Sequence, residues 1–251
     1  MSPGQGSIVK DSGDPSTQFG SVPKPGLVLL SGLTPDGEWD MCTLGPAVRT
    51  TDAGRTGFAT AGHCGKNDPL QRLQVQPSLS GLSATAPLAS IADPADGVFD
   101  PVSGTATDSA ALWTGTVDPT ATHIAGTWPV AGVLTFTSAK LLPAHTTQVC
   151  FDGSVSGVVC GPLLDTDSSG LLRFAAVSQE GDSGSAVFLV NPDTQAATLV
   201  GISKGGNART TTATYLEPAL TRLNATALID PAAANVVSGD PRYSTRVAPL
   251  T

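Results

Sequence analysis

The sequence predicts an all-β fold, and two observations support this class. Short apolar runs recur along most of the chain with polar turns between them, and the 251 residues include 28 Gly and 20 Pro. Many short strands at near-regular spacing, separated by turn residues, are typical of β-sandwiches and β-barrels. A chain of this length forms one barrel-type domain or two small domains.

Strand candidates follow one another between residues 27 and 216. The weakest candidate is residues 88–91, and the stretch after it, which contains Asp96 and Asp100, is broken by Gly and Pro and is expected to be a loop. The strands are expected at residues 27–30, 41–45, 46–49, 58–61, 73–75, 88–91, 110–113, 130–136, 147–151, 155–159, 171–177, 186–190, 198–202 and 213–216.

One helical pattern lies near the C-terminus. Its apolar residues recur mostly at steps of three and four, which is the spacing of one helix face. We therefore expect a C-terminal helix that packs on the β body and ends at residue 230, before a proline. The flanking segments 1–23 and 231–251 have the composition of an extended arm or linker and of a tail. The apolar positions of the helix are Leu216, Leu220, Leu223, Ala227 and Leu228.

The charge balance argues against two classes of partner. Lys and Arg total 13 and Asp and Glu total 21, which gives a net charge of −8. Such a chain does not suit a nucleic-acid surface or an anionic membrane surface. No apolar run is long enough to span a bilayer, so no membrane span is expected. The residues after Met1 lack the pattern of a signal peptide, so we expect that a leader is missing or that export uses another route.

The four cysteines are Cys42, Cys64, Cys150 and Cys160. They form no C-x-x-C pair, so we expect no zinc site and no other metal or cofactor. An even number favours two disulfides and an oxidising compartment, outside the cell or at its surface. Three pairings exist, of which the simplest joins Cys42 to Cys64 and Cys150 to Cys160; four reduced, buried thiols are the alternative.

The candidate nucleophile is Ser183, in the segment Gln179-Glu180-Gly181-Asp182-Ser183-Gly184-Ser185-Ala186. Small residues on both sides allow the backbone to fold tightly around the hydroxyl and to bring amide N–H groups close to a reacting atom. A Gly-Ser turn that leads into a strand is the alternative. A serine hydroxyl is a weak nucleophile at neutral pH and needs a base, usually a histidine that an acid orients.

Of the three histidines, His63 is the best candidate for that base. His123 and His145 have the sequence setting of surface or strand-end residues. His63 follows a predicted strand, and its neighbour Cys64 has a simple disulfide partner on the strand before it. A base at the end of a strand that is clamped by a cross-link would be held in place for catalysis.

The segment Phe58-Ala59-Thr60-Ala61-Gly62-His63-Cys64, taken with Gly181-Asp182-Ser183-Gly184-Ser185, resembles the chymotrypsin-like serine proteases. In that family the catalytic residues come in the order His, Asp, Ser, and the aspartate usually opens a short apolar strand. The resemblance therefore implies Asp108 as the acid, because it precedes the run Ser109-Ala110-Ala111-Leu112-Trp113. Asp96 and Asp100 are the alternatives.

The second half of the chain is similar to the streptogrisin-like bacterial members of that family. The likeness has landmarks from about residue 27 to residue 228 and implies two six-stranded antiparallel barrels with the active site between them, plus a short C-terminal helix. Its landmarks in this half are the segments 150–161, 201–206 and 215–218. The implied divisions are an arm at 1–23, a first barrel at 24–125, a second barrel with the terminal helix at 126–230 and a tail at 231–251.

The resemblance also implies a role for each site residue. Ser183 would attack a peptide carbonyl, His63 would carry the proton and Asp108 would hold His63. The amides of Gly181 and Ser183 would form the oxyanion hole. A pocket for a small or medium apolar residue is implied, since Val177, six residues before Ser183, carries no charge. The implied substrate-binding residues are Val177, Glu180, Ser203, Gly205 and Ala213.

Three departures from the family pattern leave other functions open. Ser185-Ala186 replaces the usual Gly-Pro, Gln179 stands at a frequent cysteine position, and no Ile-Val-Gly-Gly segment is present for activation by a new amino terminus. Another device, such as an internal Arg bound by an acid, would have to order the oxyanion loop. A weak or inactive protease-fold module displayed on a cell surface or a phage particle is the alternative. A β-sandwich binding domain with a chance Gly-Asp-Ser-Gly is a third reading.

Overall fold

Two antiparallel β-barrels make up the fold. The computed structural model describes residue 20 and residues 22–33, 39–52, 54–65, 72–75, 86–100, 104–166, 170–234 and 237–250. The helices are α1 (Phe136–Lys140) and α2 (Leu216–Arg222), and 3-10 turns lie at Gly62–Gly65 and Pro119–Thr122. The strands are β1 (Val28–Leu33), β2 (Trp39–Thr43), β3 (Ala47–Thr50), β4 (Thr56–Thr60), β5 (Arg72–Val75), β6 (Ala86–Asp100), β7 (Thr105–Trp113), β8 (His123–Ile124), β9 (Trp128–Val133), β10 (Gln148–Gly153), β11 (Gly157–Thr166), β12 (Leu172–Phe174), β13 (Ala186–Val190), β14 (Ala197–Gly206), β15 (Thr211–Tyr215), β16 (Ala225–Ile229) and β17 (Val247–Pro249).

The first barrel closes at the junction between strands β2 and β3, which are consecutive in the chain. Strands β2, β1, β5, β6, β7, β4 and β3 pair in that order. Residues 44–46 join β2 to β3, and the amides of Leu44 and Gly45 donate to the carbonyls of Leu27 and Ala59 at 2.9 Å each. β2 and β3 therefore act as one bent strand that completes a six-stranded ring. Its core contains the fully buried side chains of Leu27, Leu29, Leu44, Phe58 and Leu112.

The second barrel is a ring of six strands in the order β13, β10, β11, β12, β15 and β14, and the β13–β14 pairing closes it. Alternate residues of these strands point inward, so aromatic and branched side chains fill the interior. Phe151 and Phe174 lie there with ring centroids 6.2 Å apart, beside Val187 and Tyr215. The predicted class of two six-stranded antiparallel barrels is confirmed.

Both disulfides have the simplest of the three pairings. Cys42 is bonded to Cys64, which joins β2 to the turn that carries His63. Cys150 is bonded to Cys160, and the two residues are register partners on β10 and β11. The alternative of four reduced thiols is therefore wrong.

The C-terminal helix is confirmed, but it is shorter than the apolar spacing predicts. It ends at Arg222, and Asn224 has a φ of +48°, a left-handed conformation that stops the helix. Residues 225–229 form β16, which pairs with β3 of the first barrel. The predicted helical stretch at Ala227 and Leu228 is wrong, since Ala-Thr-Ala-Leu-Ile fits a strand once β3 provides a partner.

Two further segments differ from the sequence prediction. Asp96 and Asp100 lie in β6, not in a loop, because β6 pairs along most of its length with β7. Register shifts fall between Ala92 and Ala95 and between Asp96 and Val98, so β-bulges accommodate the Pro and Gly that suggested a loop. The strand predicted at 130–136 ends at Val133, and α1 begins at Phe136 after the N-cap Thr135.

The two terminal segments differ in how far they are described. The predicted arm at 1–23 lies mostly outside the described residues. Of the predicted tail, β17 pairs in parallel with β16 and places Ala248 in the core of the first barrel. Among the described residues, no helix is long and apolar enough to cross a membrane.

The Cys150–Cys160 bond closes a short loop across one strand pair, which predicts a measurable loss of stability without it. We expect the double variant C150S/C160S to lose about 2–3 kcal/mol in free energy of unfolding, because the unfolded chain gains loop freedom. Urea denaturation of the variant and of the parent protein measures the difference in free energy of unfolding. An unchanged midpoint would show that the cross-link does not constrain the unfolded chain.

Candidate active site

Backbone bonds from both barrels fix the position of Ser183. Its carbonyl accepts a hydrogen bond of 2.7 Å from the amide of Thr43, at the end of β2. The next amide, of Gly184, donates to the carbonyl of Ser203 on β14 at 2.8 Å, and the Ser203 amide donates to the carbonyl of Ser185 at 2.9 Å. Ser183 therefore lies where the first barrel meets the second, as the resemblance implies.

Two glycines allow this tight segment. Gly181 and Gly184 have φ values of +100° and +95°, which L-residues with side chains rarely adopt. A Cβ at Gly184 would overlap the hydroxyl of Thr60 and the carbonyl of Thr43, and a Cβ at Gly181 would lie 2.6 Å from the side chain of Val155. The flanking glycines that singled out Ser183 in the sequence are thus required by the backbone.

His63 and Asp108 are in direct contact. His63 Nδ1 lies 2.8 Å from Asp108 Oδ2, and the main-chain amide of His63 donates to Oδ1 at 2.9 Å. Asp108 is fully buried, whereas the His63 side chain is 32% exposed. An ionised carboxylate only accepts hydrogen bonds, so Nδ1 carries the proton and Nε2 is left as the basic atom. The disulfide at Cys64 fixes the turn that presents His63.

The other candidate residues lie elsewhere. His123 begins β8 and its Nε2 is 3.3 Å from Asp230 Oδ2, while His145 is exposed in a turn with a φ of +63°. On β6, Asp96 is the register partner of Asp108 and Asp100 is the register partner of Thr105. Cys42, His63 and Cys64 bring potential metal-ligating atoms close together, but the disulfide occupies both sulfurs.

Lys204 is a residue of this site that the sequence prediction missed. Its ammonium lies 3.0 Å from Asp108 Oδ2, the same oxygen that faces His63. Its carbonyl accepts the hydroxyl of Ser183 at 3.2 Å, and among the described residues no hydrogen bond joins Ser183 to His63. The one signal in the sequence was a lysine at the end of the mostly apolar, buried run 197–203 of β14.

A buried carboxylate organises the loop before Ser183. Asp182 is fully buried. Its Oδ1 accepts from the amides of Val155 and Ser156 at 3.0 Å each. Its Oδ2 accepts from the Ser156 hydroxyl at 2.6 Å and from the Gln179 amide at 2.8 Å. All four donors are neutral, so among the described residues hydrogen bonds alone hold this carboxylate, where the resemblance pointed to an internal arginine or another device.

The carbonyl of Gly181 is turned into the protein and its amide is left available. Thr43 Oγ1 donates to this carbonyl at 2.8 Å and Ser154 Oγ donates at 3.2 Å. Within the described part of the chain, the amides of Gly181 and Ser183 donate to no other group. Ser185, which replaces the usual glycine, donates from its hydroxyl to the Asp182 carbonyl at 2.5 Å and closes the turn around Ser183.

The predicted pocket residues separate into two groups. Gly205 lies close to Ser183, since a Cβ there would be 4.0 Å from Ser183 Oγ. Val177 is 48% exposed and Glu180 is exposed, so both face solvent near the site. Ser203 is fully buried beside Ser183, while Ala213 is its register partner and belongs to the core of the second barrel.

Comparison with known proteins identifies the fold. The chain is similar to Protease A of Thermobifida fusca, with 20% identity over 82% of this chain and 98% of that one, at a TM-score of 0.51. It is also similar to a glutamic acid specific serine protease that uses a histidine triad in substrate binding, with 19% identity, 82% and 100% coverage and a TM-score of 0.53. The chain has the chymotrypsin-like fold.

A third protein with the chymotrypsin-like fold gives the same result. This is the thermostable serine protease AL20 from an extremophilic microorganism, with 16% identity, 80% and 96% coverage and a TM-score of 0.50. No family profile matches the chain, and no curated protein matches it. At these identities the likeness lies in the fold, and the chemistry must be argued from the residues of the site.

The hydrogen bonds of Asp182 predict graded effects on catalysis and stability. If the Gly181 amide serves as an oxyanion donor, D182N should lower kcat about 10²–10³-fold, because the relaxed loop would no longer present that amide to a developing negative charge. S156A loses one donor to a carboxylate and should cost about 1.5–3 kcal/mol in free energy of unfolding, with a smaller loss of rate. Hydrolysis of a peptide anilide and urea denaturation measure the two effects.

The matched control is D193N, since Asp193 is an exposed acid in a turn outside this loop. It should retain the rate and the stability of the parent protein. If D182N behaved like D193N, the loop would be ordered without the carboxylate.

Proposed function

We propose that the protein is a serine endopeptidase in which Ser183, His63 and Asp108 form the catalytic triad. One observation carries the proposal: the buried Asp108 holds the Nδ1 proton and the main-chain amide of His63 at the junction where Ser183 lies. This contact fixes the tautomer in which Nε2 accepts a proton. The chymotrypsin-like fold of solved serine proteases supports the same class of reaction.

In this mechanism the Ser183 hydroxyl turns from the Lys204 carbonyl to His63 and attacks the carbonyl carbon of a peptide bond. The hydroxyl proton passes to His63 Nε2, and the new oxyanion accepts hydrogen bonds from the amides of Gly181 and Ser183. His63 then gives the proton to the leaving nitrogen, and an acyl-enzyme ester remains on Ser183. Water attacks the ester with His63 again as base, which releases the acid product and restores the hydroxyl.

The substrate in this proposal is a protein or peptide with a small or medium apolar residue before the cleaved bond. Val177 offers no charge to a basic side chain, and Gly205, which lies close to Ser183, would pair with the extended substrate backbone. The backbone amide and carbonyl of Ser203 are already bonded to Ser185 and Gly184. Glu180 is exposed next to the oxyanion glycine and makes that edge of the cleft acidic. The net charge of −8 agrees with a partner other than nucleic acid.

The proposed location is extracellular or at the cell surface. Two disulfides use all four cysteines, and such bonds persist in oxidising compartments. The similar proteins are proteases, and nothing about them supports a virion location.

A catalytically weak binding module is the second candidate, and one observation favours it. The Ser183 hydroxyl donates a hydrogen bond to the Lys204 carbonyl, and the Lys204 ammonium forms an ion pair with the Asp108 oxygen that also faces His63. In that case the cleft would bind a peptide segment without cutting it. The same residues thus support both candidates, and reactivity of Ser183 separates them.

Covalent labelling tests the proposed nucleophile. A fluorophosphonate probe should label the folded protein at Ser183, and S183A should show no labelling, because the probe needs an activated hydroxyl beside an oxyanion hole. The control S238A removes an exposed serine and should label like the parent protein. A folded parent protein that resists the probe would favour the binding module, and labelling that survives S183A would assign the nucleophile to another residue.

A charge placed at Val177 tests the proposed pocket. We expect V177D to shift cleavage from apolar residues toward Arg and Lys at the position before the cut, since an acid in the pocket attracts a basic side chain. A peptide library analysed by mass spectrometry measures the preference of both proteins. An unchanged preference would mean that Val177 does not contact that side chain.

A further inference from the structure

Lys204 contacts two members of the proposed triad, and the proposed function assigns it no role. Its ammonium and His63 Nδ1 share one oxygen of Asp108, at 3.0 and 2.8 Å. Its carbonyl holds the Ser183 hydroxyl at 3.2 Å. The Lys204 side chain is 29% exposed, while Asp108 is fully buried. The ammonium therefore reaches inward from the cleft to the acid.

The backbone explains why a lysine at this position points at Asp108. Ser203 pairs with Ala213 and Gly205 pairs with Thr212, so Lys204 is the extra residue of a β-bulge between β14 and β15. Bulges redirect side chains and are frequent next to active sites. The hydroxyl of Ser203, buried beside it, has no hydrogen-bond partner among the described residues, so it does not hydrogen-bond to Asp108. Lys204 is therefore the charged residue by which β14 contacts Asp108.

A cation at this oxygen changes what Asp108 does for His63. A carboxylate beside an imidazole stabilises its charged form, and a nearby ammonium opposes that effect. The groups around Asp108 can be named: His63 on its turn, Lys204 on β14, and the neutral Thr214 on β15, whose hydroxyl donates to the Asp108 carbonyl at 3.4 Å. On β6 the register partner of Asp108 is Asp96. Lys204 is thus a cation in direct contact with Asp108, and Arg222 on α2 donates to the hydroxyl of the neighbouring Ser109.

We propose that Lys204 is a positioning residue of the triad: its ammonium shares the Asp108 carboxylate with His63 and keeps the imidazole uncharged, ready to take the Ser183 proton, in more acidic solution than Asp108 alone would allow. The role rests on the proposed function but acts through Asp108, and Lys204 itself forms no bond with the substrate carbonyl. The protein would then remain active at a lower pH than the same triad without the lysine.

The first test is the pH profile of kcat/KM for K204M and K204R. Loss of the charge in K204M should move the acidic limb up by about one to two pH units, given the strength of charge interactions over a few ångströms at a partly buried site. K204R keeps the charge and should keep the limb near its original position. K140M removes an exposed lysine on α1 and controls for net charge. An unmoved limb in K204M, or an equal shift in K204R, would overturn the proposal.

The second test needs no catalysis and separates this proposal from the proposed function. NMR titration of the His63 ring in S183A, with its signal identified by its absence in H63Q, should show a midpoint that rises by a similar amount when K204M is added. An unchanged midpoint would overturn the role of Lys204 whatever the activity. A shifted midpoint in a protein that never labels with fluorophosphonate would leave the electrostatic role intact and overturn the protease. K204Q replaces K204M if that variant fails to fold by near-ultraviolet circular dichroism.

Discussion

The buried carboxylate of Asp108 is the interaction on which the arrangement of the site depends. Burial of a charge is costly unless hydrogen bonds and an opposite charge compensate it, and Asp108 obtains them from both barrels. The first barrel supplies the ring and the amide of His63, and the second supplies the ammonium of Lys204. Each partner is held to Asp108, so the same contacts orient His63 and connect β14 of the second barrel to β7 of the first.

A second buried carboxylate, Asp182, orders the loop before Ser183 and has no cation among its described partners. Its four neutral donors come from the turn at residues 155–156 and from Gln179. The Gly181 carbonyl is fixed by Thr43 and Ser154, so hydroxyl and amide groups order both sides of the loop. The two acids therefore have separate roles: Asp108 orients His63, and Asp182 fixes the backbone before Ser183.

The sequence predicted strands and candidate triad residues where a short segment carried a clear pattern, such as an apolar run or a glycine-flanked serine. Strand β13 coincides with the apolar run after Gly184, and the residues chosen as base and acid do meet at 2.8 Å. It failed where a distant partner decides the local structure. Residues 225–229 have a helix-like spacing but pair with β3, and the Pro and Gly of β6 are absorbed by bulges against β7. The contact of Lys204 with Asp108 joins residues 96 positions apart, and no local pattern reveals it.

The sequence by itself determined the all-β class, the segment that holds the candidate nucleophile Ser183 and the need for glycine at positions 181 and 184. Gly181 and Gly184 have backbone conformations that other residues rarely adopt. The number of cysteines limits the possible disulfide pairings. The tertiary structure decided which groups share a carboxylate, which amides are left without partners and where the Ser183 hydroxyl points. Those outcomes depend on distances between strands of two barrels, and each is set by packing and burial across the whole chain.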